Sequence, residues 1–150
     1  MLKPALLLLV LVFSAATLAR DTEKALQHMF GDGPAYKAFF EQFQQAARRH
    51  DKPAMLALIE YPLSVEEGKP RLFDAEQAAR DFDEIFDQRR LAIISSQNFD
   101  QLHISTAGAA FGSGEIWFGG VCGETSCAQM QIKILRIGKE KPRSTRERRE

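Results

Sequence analysis

Apolar residues open the chain as one block: Ala5 to Phe13 holds no charge, Lys3 precedes it, and the small residues of Ser14 to Ala19 follow. A short positive flank, an apolar stretch and a small-residue end make the pattern of a cleavable export signal, with the cut expected after Ala19. A membrane-spanning helix needs about 20 consecutive apolar residues, and Arg20 and Asp21 stop this run first. Beyond it the pattern turns helical. Ala25, Leu26, Met29 and Phe30 predict a short leading helix. Gly31-Asp32-Gly33-Pro34 then breaks and restarts the chain, because Asp32 or Gly33 can cap and Pro34 suits a first helical turn. In the helix that follows, Tyr36, Phe39, Phe40, Phe43, Ala46 and Ala47 recur at the spacing of one buried stripe. Lys37, Glu41, Gln44, Gln45, Arg48 and Arg49 occupy its other side.

Asp51-Lys52-Pro53 repeats the punctuation and starts a shorter helix through Met55, Leu56, Leu58 and Ile59, which Pro62 ends by moving Tyr61 out of helical geometry. Leu63 to Val65 and Arg71 to Phe73 flank a turn at Glu67-Gly68-Lys69-Pro70 and read as a small hairpin. Asp74 with Gln77 forms a capping-box start for a third helix with the stripe Ala78, Phe82, Ile85 and Phe86, and Leu91 to Ile94 continue as a short helical piece. From Phe99 the period changes to two. Leu102 and Ile104 alternate with His103, Gly112-Ser113-Gly114 is a hairpin turn signal, and Met130 to Ile137 is rich in β-formers. Helices first and a meander last predict an α+β domain, with N-terminal helices packed on an antiparallel sheet. Residues 1–19 are thus expected to be a signal peptide, 20–138 one domain, and 139–150 a basic disordered tail.

Composition agrees with one packed domain: 150 residues, 45% hydrophobic, eleven of them Phe. The net charge of zero divides unevenly. From Arg20 to Gly138 there are 13 basic and 17 acidic side chains, whereas Lys139 to Glu150 holds six basic and three acidic. An acidic domain excludes a nucleic-acid binder of the basic-patch kind, while the tail is free to meet an anionic surface.

Candidate chemistry is sparse. Cys122 and Cys127, with four residues between them, read as a disulfide in an oxidising compartment; a zinc site would need further Cys or His ligands nearby. His28 lies in the leading segment and His50 at a helix end, where a cation complements the terminal carbonyls. His103 is on a strand. Glu115 and Trp117 share one strand face with Ile116 and Phe118 on the other, so Glu115 could act as a base or a polar anchor beside the indole if that face lined a cavity. Asp81, Asp83, Glu84 and Asp87 read as a solvated helix face rather than a calcium loop, and Gly119-Gly120 lacks the strand-to-helix setting of a phosphate loop. These readings assign no catalytic residue, no metal and no cofactor.

The order of elements, together with Tyr61-Pro62-Leu63-Ser64-Val65, Phe82-Asp83-Glu84-Ile85-Phe86, Gly112-Ser113-Gly114-Glu115-Ile116-Trp117-Phe118-Gly119 and Ile132-Lys133-Ile134, resembles small exported bacterial proteins of the NTF2-like, or SnoaL-like, cone fold. The resemblance covers about Pro34 to Ile137. It implies a curved antiparallel sheet wrapped on helices with a pocket at the wide end, for which Tyr36, Phe40, Tyr61, Phe86, His103, Glu115 and Trp117 are the candidate lining. The same cone serves hydrolases, isomerases, ligand binders and scaffolds, so the resemblance implies little about activity. Without a catalytic motif, the expected function is an exported, non-catalytic domain that binds a small apolar ligand or a periplasmic protein partner, with homodimerisation also open and a small SnoaL-like enzyme a further alternative. The loop Gly123, Glu124, Thr125 and Ser126, closed by Cys122 and Cys127, is similar to the inhibitory loop of periplasmic lysozyme inhibitors of the Ivy family, though it offers a carboxylate where that loop presents a His. This implies an alternative inhibitor or immunity-type role through the loop.

Overall fold

The computed structural model describes residues 16–66, 69, 71–123 and 125–139, with side chains from residue 21 onward. The expected signal segment before Ala16, the expected tail beyond Lys139, and Glu124 of the loop lie outside the described residues. Among the described residues, six helices precede most of the sheet: α1 Ala16–Phe30, α2 Gly33–Arg48, α3 Lys52–Ala57, then, after strand β1 Ile59–Val65, α4 Ala75–Arg80, α5 Phe82–Ile85 and α6 Gln88–Ser96. A 3-10 turn at Phe99–Gln101 leads into β2 His103–Ser105, β3 Gly108–Phe111, β4 Ile116–Cys122 and β5 Met130–Ile137. The α+β class is as expected.

Acidic caps start these helices. The Asp32 carboxylate accepts from the Ala35 N–H, Asp51 from Ala54 and Asp74 from Gln77, each supplying a partner to an otherwise unpaired first-turn donor. The Gln77 side chain returns a bond to the Phe73 N–H at 2.7 Å, so the expected reciprocal cap forms. All six stripe residues of α2 are buried. Gln44, expected on the solvent side, is buried as well: its amide donates to the Ile94 and Gln97 carbonyls at 3.0 and 2.8 Å and ties α2 to the end of α6. The expected third helix divides into α4 and α5, and Asp87, expected on a solvated face, caps α6 by accepting from the Arg90 N–H.

The strand order is β1-β5-β4-β3-β2. Neighbours from β5 to β2 are antiparallel, but β1 runs parallel to β5, so the sheet is mixed rather than wholly antiparallel. This corrects two local readings. Ile59 belongs to a strand, not to the end of a helix, and Pro62 sits inside that strand after a cis peptide bond with Tyr61. An edge strand tolerates a residue without an N–H, and the β1–β5 pairing skips from Ile59↔Ile134 to Ser64↔Arg136 around it. The expected hairpin survives as one antiparallel bridge, Leu63 with Leu72, exchanging bonds of 2.8 and 3.0 Å.

Between α2 and the sheet the core is aromatic. Phe40 stacks on Phe111 at 5.1 Å, Phe43 meets Phe86 at 5.9 Å and Phe111 at 5.8 Å, and Phe118 contacts Phe39 at 5.1 Å and Phe111 at 5.3 Å. Ile116, Phe118, Ile134 and Ile137 reach this core from the sheet. The residues between them therefore face the other side.

Candidate functional site

One row crosses all five strands on the face away from the helices. Register places Ser64 beside Arg136, Arg136 beside Trp117, Trp117 beside Ala110 and Ala110 beside His103. Ala110 is small, so the His103 ring reaches over it to meet Trp117 edge-on at 5.4 Å. From the other flank the Arg136 guanidinium lies 4.9 Å from the centre of the indole, within cation–π range. The Trp117 Nε1–H donates to the Gly114 carbonyl at 2.9 Å, which fixes the ring's rotation. Ser64, Glu66, Ser113, Gly138 and Lys139 complete the walls of a cleft of about 550 Å³.

The row depends on an irregularity in β5. With Ile132 and Ile134 inward, strict alternation would turn Arg136 into the core and Ile137 out. The register shift opposite Trp117 and Phe118 inserts Leu135 as an extra residue, so Ile137 is buried and Arg136 is exposed beside the indole.

Glu66, at the mouth, is held from behind by Arg90. This guanidinium is 5% exposed, donates to the Glu66 carboxylate at 2.6 Å, and also donates to the carbonyls of Glu84, Ile85 and Gly138. Its hydrogen bond, with help from Lys69 at 3.3 Å, holds the Glu66 carboxyl below the usual carboxylate range against the opposing effect of burial. The carboxylate of the cleft is thus already satisfied. Arg136 and Lys139 have no carboxylate partner among the described residues.

The other sequence candidates separate. Tyr36, Phe40 and Phe86 are at most 3% exposed and belong to the packed interior. The Tyr36 hydroxyl accepts from the Gly120 N–H at 3.2 Å, and burial raises its pKa more than that bond lowers it. Tyr61 is half-buried, donates to the Leu56 carbonyl at 3.3 Å, and is raised by burial and then by the Asp74 charge. Glu115 does not share a face with Trp117. Its carboxylate folds back to accept from the Ser113 N–H and to meet Arg89 at 3.8 Å, closing the β3–β4 turn, because it lies before the strand begins. Of the set, His103 and Trp117 line the cleft. Ser64, Glu66, Arg136 and Lys139 were not foreseen; the doublet Ile134-Leu135 before Arg136 was the available signal of the shift.

His103 makes no hydrogen bond to Ser64 or Ser113, so no nucleophile–base pair is assembled in the cleft among the described residues. No group of three or more His, Cys, Asp or Glu among them could hold a metal. Cys122 and Cys127 form a disulfide with Cα atoms 4.6 Å apart, and Gly123, Thr125 and Ser126 of the loop it closes are exposed. No helix among the described residues is long and apolar enough to cross a membrane. No family model, curated protein or solved structure matches the chain.

Proposed function

We propose that this chain is an exported, non-catalytic binding domain of NTF2-like type whose ligand site is the cleft on the outer face of the sheet. Export rests on the apolar run from Ala5 to Phe13 behind Lys3, and the paired cysteines suit an oxidising compartment. The carrying observation is the contrast between the two faces. Packed phenylalanines occupy the helix side, where a cone pocket would hold an apolar ligand, while the outer side gathers an indole, an imidazole, a guanidinium and two serines around open volume. Binding sites combine such an apolar floor with a few converging polar groups.

The test is a screen of flat aromatic fragments, anionic, neutral and cationic, by saturation-transfer NMR on the native chain and on Ser64→Trp, which fills the cleft from β1. Fragments that bind the native chain should lose their signal on the variant. Full retention would overturn the outer-face reading.

A second reading is favoured by one observation: the described residues from Cys122 through Gln131 are all exposed, so the disulfide-closed loop projects from the sheet. An inhibitor or immunity-type contact would use that projection. It predicts that Thr125→Ala with Glu124→Ala abolishes capture of a periplasmic partner without unfolding the domain.

A further inference from the structure

The chemistry of the cleft selects among ligands. Resting on the outer-face reading, we infer that the cleft takes a flat molecule carrying one oxyanion, a carboxylate or a phosphate, with Arg136 as the principal anchor.

Charge provides the first reason. The domain from Arg20 to Gly138 is acidic, with 17 acidic against 13 basic side chains, yet its cleft is locally positive. Of the three ionised side chains in the lining, Glu66 is neutralised by Arg90 and Lys69. This leaves Arg136 and Lys139 as the uncompensated charges, so an arriving anion meets two cations and a carboxylate whose two oxygens are each already paired with a cation.

Geometry provides the second. A guanidinium resting on an indole face is oriented by that contact, and its N–H edges stay available in the plane where a carboxylate or phosphate accepts two bonds. Arg136 is exposed, and no hydrogen bond or ion pair uses those edges among the described residues. The imidazole of His103 stands across the indole and also has no hydrogen-bond partner among them, and Ser64 and Ser113 line the same space. Opposite this polar rim, the half-buried indole of Trp117 gives the body of the ligand an apolar surface. A cation would face Arg136 and Lys139 with no free carboxylate to compensate it, and a neutral ring would leave the guanidinium edges to water.

Isothermal titration with phenyl phosphate, phenylacetate, benzyl alcohol and benzylamine tests this on the native chain, Arg136→Gln and Lys139→Gln. The two anions should bind roughly tenfold or more tightly than benzyl alcohol, the worth of one charge-assisted pair, and benzylamine should bind least. Arg136→Gln should bring the anions down to the level of the alcohol while its far-UV circular dichroism is unchanged, and Lys139→Gln should cost less. Whichever anion binds more tightly identifies the oxyanion source, and preference for either supports the inference. Equal binding of anion and alcohol, preference for benzylamine, or an Arg136→Gln chain that keeps its anion affinity would overturn it, while binding that Ser64→Trp abolishes would leave the outer-face reading standing. Absence of binding by all four compounds would overturn both.

Discussion

Arg90 illustrates how much one buried side chain organises here. It joins the ends of β1 and β5 to α5 and α6 through one carboxylate and three carbonyls. Arg90→Met would leave the three carbonyls without this donor and Glu66 with Lys69 alone. The expected loss is about 3 kcal/mol, the lower end for breaking a buried pair, because Glu66 keeps 22% of its side chain exposed and can recover water. Urea unfolding with an unchanged slope checks it. The same pair sets an acid limit. The Glu66 carboxyl is depressed in the folded state by the Arg90 hydrogen bond, so its stabilisation is complete above the ordinary carboxylate value near 4.3 and is lost as pH falls through the lower folded value. The stability of Glu66→Gln relative to the native chain should therefore improve below about pH 4; a difference independent of pH in that range would contradict the pairing.

At the scale of elements, the β3–β4 turn and the disulfide loop behave differently. Gly112 has φ 66°, and a Cβ there would run into the Glu115 carboxylate. Gly112→Ala should cost about 1–3 kcal/mol from backbone strain, read by thermal unfolding. The Cys122–Cys127 bridge closes a short loop, so replacing both cysteines with Ser should cost no more than about 2 kcal/mol and leave the core signals of an NMR spectrum in place. Legibility follows the same division. Tyr36 to Ala47 could be read as a buried stripe, and Asp74 with Gln77 as a cap, because both are local patterns. The parallel pairing of Ile59 with Ile134 could not, since it joins residues distant in sequence and Leu72 offered a nearer partner to the same strand. His103 and Trp117 were recognised as candidates, but their meeting required the registers of three strands, and Arg136 joined them only through an inserted residue. For Glu115 one position at the strand start decides between a pocket wall and a turn, and the strand begins only at Ile116.

At the scale of the whole molecule, the proposal gives the two faces of the sheet separate tasks. The helix side supplies stability, and Phe111→Ala at its centre should cost about 3–5 kcal/mol. On the proposed function the outer side supplies recognition and contributes little to folding, so Arg136→Gln should alter binding and leave the melting temperature within about 2 °C of the native value. Trp117 is the sole tryptophan of the chain, so its one indole resonance reports on the cleft alone. The most direct test of an outer-face site is therefore an NMR titration with phenyl phosphate that follows this indole together with the ring resonances of Phe40, Phe43 and Phe86. The account predicts that the indole N–H and the amides of His103 and Arg136 move while the three phenylalanine rings stay still; movement of the phenylalanine rings with a silent indole would place the ligand inside the fold and contradict it.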